Sequence, residues 1–177
     1  MKEKEAQKER NKMKWFNNPK TLEELKKQYK QLAMKHHPDL GGADADMKEI
    51  NAEYDKLFEL LKNVHQSASG ETYTAREETT ETPEQFRDIV NRLITLDGIV
   101  IEVCGSWLWV SGDTKQHRET LKELHFRWSK NKSAWYFHDE GYHKHGKKSF
   151  TMDEIRDMWG SERIVANHGD RLKAATV

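Results

Sequence analysis

The sequence predicts two domains, an N-terminal all-α helical hairpin in residues 1–63 and a small C-terminal α+β domain in residues 84–165. Three observations predict this organisation. Residues 21–63 carry two apolar stripes at helical spacing, joined by a short loop that contains a proline and two glycines. Residues 64–83 lose that spacing and are dominated by Ser, Thr and Glu. Beyond them, apolar runs of strand length alternate with helical patterns.

The first helix of the hairpin is predicted to begin at Thr21 and to end near His36. The Thr21 hydroxyl can cap the helix, and Glu24 stands three residues later, as in a capping box. Pro38 disfavours helical backbone in the residue before it, which ends the helix. The stripe that would face a core is Leu22, Leu25, Tyr29, Leu32 and Ala33.

The second helix is predicted from Asp44 or Asp46 to Asn63. The two helices should pack antiparallel because the loop between them is short. Residues 64–83 cannot bury enough surface to offset the entropy of ordering, and they are predicted to form a flexible linker. The apolar face of the second helix is Met47, Ile50, Tyr54, Leu57, Phe58 and Leu61.

The C-terminal domain is predicted in the order α-β-β-α-β-β-α, with antiparallel hairpins. Turn residues separate its short apolar runs. Residues 166–177 are expected to be a frayed tail. The predicted elements are helix Glu84–Leu96, strands Ile99–Val103 and Trp107–Val110, helix Thr114–Leu124, strands Phe126–Trp128 and Ala134–Phe137, and helix Thr151–Met158.

Composition narrows the functional classes. The chain has 30 Lys and Arg against 30 Asp and Glu, so attraction to a nucleic acid or a membrane must come from local patches. The single cysteine, Cys104, excludes an internal disulfide framework and fits a reducing compartment. No apolar run is long enough to span a membrane, and the basic N-terminus has no apolar signal segment. A cytoplasmic location is therefore expected.

The loop sequence HHPD, from His36 to Asp39, first invites a metal or a catalytic interpretation. Adjacent histidines on a loop diverge, and the other nearby oxygen ligand is Asp44, with no cysteine close by. A general-base histidine needs a nucleophile and a pocket, and a two-helix hairpin offers no deep one. The residues therefore predict neither a metal site nor a catalytic site here, and no cofactor is expected.

The hairpin resembles the J domain of the DnaJ co-chaperone family. The likeness covers LKKQYKQLAMKHHPD, residues 25–39, and DMKEINAEYDKL, residues 46–57, and it extends over about residues 15–63. This resemblance implies a protein that binds a DnaK-type chaperone and stimulates its ATP hydrolysis without hydrolysing ATP itself. The implied chaperone-binding residues are His37, Pro38 and Asp39 in the loop and Lys26, Lys27, Tyr29 and Lys30 on the preceding helix, whose lysines were expected to be exposed.

The chain also departs from that family. Only Met13, Trp15 and Phe16 stand where an aromatic-rich first helix is usual, and the loop before the second helix is compact. These features are closer to the short J domains of viral and mobile-element proteins. No Gly/Phe-rich segment and no cysteine-rich zinc module follows the hairpin.

The C-terminal domain interleaves aromatic and basic residues. This pattern is typical of surfaces on which nucleic-acid bases stack while phosphates meet cations, but a protein-binding surface or a tryptophan-filled core would produce it too. His143 and His145 lack further ligands for a metal. The candidate residues for a target or a nucleic acid are Trp107, Trp109, Arg127, Trp128, Lys130, Lys132, Trp135, Tyr136, Lys144, Lys147 and Lys148.

Two functions follow from these features. The leading hypothesis is a non-enzymatic co-chaperone that recruits a DnaK-type ATPase, with a C-terminal domain that selects a client or complex. The alternative is a nucleic-acid-binding protein of a phage or mobile element that uses its basic aromatic C-terminal domain. An enzyme has little support, since the sequence shows no phosphate loop, nucleophile elbow or metal quartet.

Overall fold

A computed structural model of the protein describes residues 8, 11–76, 79–138, 149–161 and 163–166. The chain divides into two units, Met1–Ser67 with Glu71–Thr95, and Leu96–Val177 with Ala68–Gly70. The predicted order of N-terminal helices followed by a small antiparallel α+β region is confirmed. Within the described residues, no helix is both long enough and apolar enough to cross a membrane.

The first unit contains the predicted pair of helices, α1 (Leu22–His36) and α2 (Asp44–Leu61). The Thr21 hydroxyl caps α1 by accepting from the Glu24 amide, as the sequence predicted. The Glu24 carboxylate accepts from the Lys20 amide at 2.7 Å, which satisfies a second amide before the first turn. Between the helices, residues Pro38–Leu40 form a short 3-10 turn.

The core of the first unit is built on aromatic rings from both helices. The ring centroids of Tyr29 and Tyr54 lie 4.5 Å apart, and both side chains are fully buried. Phe16, from the segment before α1, packs on Tyr54 at 6.3 Å. The aliphatic part of the core confirms the predicted stripes except at Leu32, which is only partly buried. The buried members are Leu22, Leu25, Ala33, Met47, Ile50, Leu57 and Leu61.

The predicted linker is wrong in two respects. Residues 64–83 contain an antiparallel hairpin of β1 (Val64–Gln66) and β2 (Thr72–Thr74). Further on, Glu81 is buried. The hairpin orders this polar stretch because its backbone groups bond to each other, a stabilisation that composition does not reveal.

Helix α3 (Pro83–Leu93) belongs to the first unit, and its predicted place in the C-terminal domain is wrong. The Phe86 ring lies 6.1 Å from Tyr29 and 6.0 Å from Tyr54, and Arg87 pairs with Asp55 at 3.0 Å. An amphipathic stripe shows that a helix must bury one face but does not identify the partner of that face. The boundary between the units therefore falls at residues 95–96 and not at 83–84.

In its described residues, the second unit contains two helices and a five-stranded antiparallel sheet, whose strand order is β5 (Arg127–Ser129), β6 (Ala134–Phe137), β4 (Trp107–Gly112), β3 (Ile99–Cys104) and β7 (Ile164–Val165). All four predicted strands are present, shifted or extended by at most two residues, and a short fifth strand was missed. The prediction of a frayed tail is wrong for its first residue, because Ala166 is buried and its amide donates to the Ile99 carbonyl of strand β3. Residues 167–177 of that predicted tail lie outside the described residues. The elements are β3 (Ile99–Cys104), β4 (Trp107–Gly112), α4 (Arg118–Glu123), β5 (Arg127–Ser129), β6 (Ala134–Phe137), α5 (Met152–Trp159) and β7 (Ile164–Val165).

Register sorts the aromatic residues of this sheet onto two faces. Trp107 and Trp109 share one face with Tyr136, which lies opposite Trp109 in the pairing of β4 with β6. Trp135 lies on the other face, opposite Val110. The predicted alternation of these side chains is confirmed. Helix α5 covers part of the first face through Met152, Ile155 and Trp159.

Candidate functional sites

The His-Pro-Asp turn between α1 and α2 is held by its own backbone. The His37 carbonyl accepts from the amides of Leu40 and Gly42, both at 2.9 Å. The His37 ring contributes as well, since its Nδ1 accepts from the Asp39 amide at 3.2 Å. In the neutral ring the proton therefore lies on Nε2. Pro38 and Asp39 project outward, and the Asp39 side chain is 65% exposed.

The two glycines after the turn have different constraints. Gly41 has a φ of 88°, a left-handed conformation that glycine adopts without strain. At Gly42 a Cβ atom would lie 2.0 Å from the His36 carbonyl oxygen, so a side chain there would displace the end of α1. The chain thus passes close against the helix end, which gives the turn one defined shape.

His36 has a different role from His37. It is the last residue of α1, as predicted, and its ring meets Trp15 edge-on at 4.8 Å. Its Nδ1 lies 3.5 Å from a carboxylate oxygen of Asp46. Among the residues that the structure describes, no three His, Cys, Asp or Glu side chains are grouped as metal ligands would be.

Residues 14–16, which no sequence pattern linked to the turn, contact the end of α1 just before it. The Glu53 carboxylate accepts the backbone amides of Lys14 and Trp15 at 2.8 and 2.9 Å. Glu49 accepts from the Trp15 indole at 3.0 Å and pairs with the Lys14 ammonium at 2.7 Å. The hydrogen bonds from Lys14 and Trp15 lower the pKa of Glu49. This segment, residues 14–16, thereby fixes Trp15 against His36.

The lysine face predicted on α1 is not exposed as expected. Lys26 is 3% exposed and Lys30 is fully buried, and only Lys27 is partly accessible. Lys26 pairs with the buried Glu81 carboxylate, and its ammonium lies 5.0 Å from the centre of the Phe86 ring. The expectation was wrong for both Lys26 and Lys30. Lys26 is covered by Glu81 and by Phe86 of α3. Periodicity within α1 cannot reveal a covering element from elsewhere in the chain.

Tyr29 is likewise a core residue in this structure. It is fully buried, and its hydroxyl donates to the Asn51 side chain at 2.9 Å. Burial raises the pKa of Tyr29, so the phenol stays neutral at physiological pH. The hydrogen bond between α1 and α2 explains how a buried phenol is tolerated.

The tryptophan-rich face of the second unit is mostly a packed cluster. Trp107 stacks on Trp109 with ring centroids 5.7 Å apart, and Tyr136 lies 5.5 and 5.6 Å from them. Trp109 is only 4% exposed. The Lys132 ammonium lies 5.7 Å over its ring. Trp109 therefore belongs to the core of this unit, while Trp107 and Tyr136 remain partly accessible.

A buried carboxylate anchors α5 to the same sheet. Glu102 on β3 is 1% exposed and accepts two bonds from the Arg156 guanidinium, at 2.8 and 2.9 Å, and one from Ser161 at 2.7 Å. Burial pushes the pKa of Glu102 upward, but the bonds from Arg156 and Ser161 outweigh it, and the net pKa is lowered. The pairing of Glu102 with Arg156 was not predicted from the sequence, because a charged residue within a strand pattern does not indicate which distant residue it contacts.

Trp128 differs from the other tryptophans of the sheet. It lies on strand β5 and is 49% exposed, whereas its cross-strand neighbour Trp135 is 7% exposed. The two rings meet edge to face at 5.6 Å. Arg127 and Lys130 beside it are exposed. The remaining candidates, Lys144, Lys147 and Lys148, lie outside the described residues, as do His143 and His145.

Comparison with known proteins adds no family assignment to this geometry. No family model, no curated protein and no solved structure matches the chain.

Proposed function

We propose that this protein is a J-domain-type co-chaperone, which binds a DnaK-type chaperone through the His37–Asp39 turn and stimulates its ATPase. One observation carries the proposal. The tripeptide that the resemblance marks as functional stands at an exposed, internally bonded turn between two antiparallel helices. A purely structural turn would require the proline and glycines but not an outward aspartate carboxylate.

The geometry of the turn suits a brief, specific contact. A loop that is already rigid loses little conformational entropy on docking. The Asp39 carboxylate is 65% exposed, so a cationic side chain of the partner can reach it and donate a charge-assisted hydrogen bond. The hydrogen bond from the Asp39 amide to the His37 ring holds these two residues in one arrangement, in which the carboxylate is exposed and the His37 side chain is 14% exposed.

The covered lysines change which part of α1 supports docking. With Lys26 and Lys30 buried, the accessible lysines of α1 are Lys35, which is exposed beside the turn, and Lys27, which is partly accessible in the first half of the helix. Such cations would steer an acidic partner and make the encounter sensitive to salt. We place the docking surface at the turn and at this accessible part of α1.

The second unit supplies the proposed target selection. Tethering a chaperone-recruiting turn to a target-binding unit raises the local concentration of the chaperone at that target. The client or complex is not specified by the turn itself.

Single-turnover ATP hydrolysis by a purified DnaK-type chaperone tests the proposal. The full-length protein should accelerate hydrolysis, and His37→Gln and Asp39→Asn should abolish the acceleration without changing the far-UV circular dichroism spectrum. Asp157→Asn makes the same chemical change at an exposed position of α5 and should leave stimulation intact. Absence of stimulation by the wild type, or equal stimulation by Asp39→Asn, would refute the co-chaperone function.

A further inference from the structure

We propose that the hairpin of β5 and β6, residues 127–137 and here called the edge hairpin, binds single-stranded nucleic acid. Trp128 stacks on a base, and Arg127 and Lys130 hold the neighbouring phosphates. This inference goes beyond the co-chaperone activity and does not depend on it. It selects one of the three interpretations that the aromatic sequence left open.

The position of Trp128 is the first argument. An indole that is 49% exposed leaves a large apolar surface in water, while Trp109 and Trp135 in the same sheet are buried. Trp128 is nevertheless held in place, because its ring packs edge-on against Trp135 and its backbone is paired in register with that residue. Its free ring surface is therefore presented in a fixed orientation, which lowers the entropy lost when a base stacks on it.

The charge of the hairpin is the second argument. The chain as a whole is balanced, with 30 basic and 30 acidic residues, yet residues 125–138 contain Arg127, Lys130 and Lys132 and no aspartate or glutamate. Arg127 and Lys130 are exposed, whereas Lys132 is partly buried over Trp109. Two exposed cations on a short hairpin that itself contains no carboxylate side chain are complementary to a phosphate backbone.

The place of β5 in the sheet joins these two features. In the part of the chain that the structure describes, β5 is one of the two edge strands of the sheet, and Arg127 and Trp128 project to opposite faces of it. A ligand strand that runs along this edge can meet the indole on one side and the guanidinium on the other. Lys130, in the turn that follows β5, extends the same edge.

A single strand fits this edge better than a duplex or an acidic peptide. Bases in a duplex are already stacked on each other, so an isolated exposed indole has no free base face to contact. An acidic peptide would satisfy the cations but leaves the exposed indole without a planar partner. An edge strand can also accept a peptide strand by backbone pairing, and the experiment must separate that possibility.

Fluorescence anisotropy with the full-length protein and a labelled oligothymidylate of about 20 nucleotides tests the inference. Removal of one stacked base contact corresponds to about a 5- to 150-fold loss of affinity, so Trp128→Ala should weaken binding to that extent. Trp128→Phe retains an aromatic face and should recover much of the loss. Phe150→Ala removes another exposed aromatic ring and should leave affinity unchanged.

The salt dependence tests the cations separately. Each phosphate contact to a single strand contributes about 0.7 to the slope of log affinity against log salt, so Arg127→Gln with Lys130→Gln should reduce that slope by about 1.4. Lys115→Gln with Arg118→Gln removes the same charge from exposed positions elsewhere in the second unit and should leave the slope nearly unchanged.

Three results would overturn the inference. They are no binding at low salt, equal affinity of the wild type and Trp128→Ala, and tighter binding of a duplex than of the single strand. Absence of binding at low salt would favour a protein partner for the edge hairpin instead. Failure here is distinguishable from failure of the co-chaperone proposal, since His37→Gln should leave oligonucleotide affinity unchanged and Trp128→Ala should leave ATPase stimulation unchanged.

Discussion

Each of the two units buries a carboxylate and pairs it with a cation from a distant part of the chain, but the two pairs are built differently. Lys26 and Glu81 are 55 residues apart, and both side chains are almost completely removed from water, at 4% and 6% exposed. Glu102 and Arg156 are 54 residues apart, and while Glu102 is buried, the Arg156 side chain is 24% exposed.

The two pairs also differ in their hydrogen bonding. The Arg156 guanidinium donates two bonds to Glu102, and Ser161 donates a third, so the buried carboxylate is well satisfied. Lys26 meets Glu81 through a single ammonium group and completes its surroundings with the Phe86 ring. We therefore expect the Lys26–Glu81 pair to be the more sensitive to substitution, because neither partner retains access to water and removal of one charge leaves the other buried without a counter-charge.

The largest effect is expected from Glu81→Gln. This change leaves the Lys26 ammonium buried without a counter-charge and should lower the free energy of unfolding by about 3–5 kcal/mol. Urea denaturation followed by circular dichroism measures the loss. The double variant Lys26→Met with Glu81→Leu removes both charges and should recover most of the stability. Little loss in the single variant would show that water reaches Lys26.

A smaller effect is expected from Glu102→Gln. Arg156 retains its contact with solvent and with Asp153, at 2.8 Å, so it is not stranded. The loss of charge-assisted bonds should lower the free energy of unfolding by about 1.5–3 kcal/mol. The same urea titration decides the order, and a loss equal to that of Glu81→Gln would contradict the contrast between the two pairs.

The smallest expected effect is the contribution of Glu102 to the pH dependence of the free energy of unfolding. Its pKa in the folded protein lies below the ordinary value of 4.5, so its pairing stabilises the fold above that pH and the contribution is lost as pH falls through the folded pKa. The stability difference between wild type and Glu102→Gln should therefore shrink as pH is lowered below about 4.5. Urea midpoints of both proteins at successive pH values measure this. A constant or widening difference would contradict the lowered pKa.

Local structure was predictable wherever a short-range rule applied. The Thr21 cap, the end of α1 at His36 and the alternation of Trp107 and Trp109 with their neighbours follow from capping, from the residue before proline and from strand period. The glycines after the His-Pro-Asp turn were expected to permit a reversal. The structure adds that Gly42 also allows a close approach to the His36 carbonyl, which no local pattern indicates.

The candidate sites were less predictable, because exposure depends on what covers a residue. The sequence singled out the turn of His37 and Asp39, where the Asp39 side chain is exposed, but also Lys26 and Lys30, which are both buried. It proposed Trp107, Trp109, Trp128 and Trp135 together, and burial separates Trp128 from the rest. Glu49 and Glu53 hold Lys14 and Trp15 against the end of α1. No sequence signal marks these contacts beyond two aromatic residues in a polar segment.

By itself, the sequence determined the helices of the hairpin, most strands of the sheet and the His-Pro-Asp turn between α1 and α2. These features depend on residues a few positions apart, where capping, periodicity and backbone restriction act. Only the tertiary structure decided that α3 joins the first unit, that Lys26 pairs with Glu81 and that Trp128 stays at the surface. Those outcomes depend on which apolar faces and charges are removed from water together, and that is a property of distant segments meeting in space.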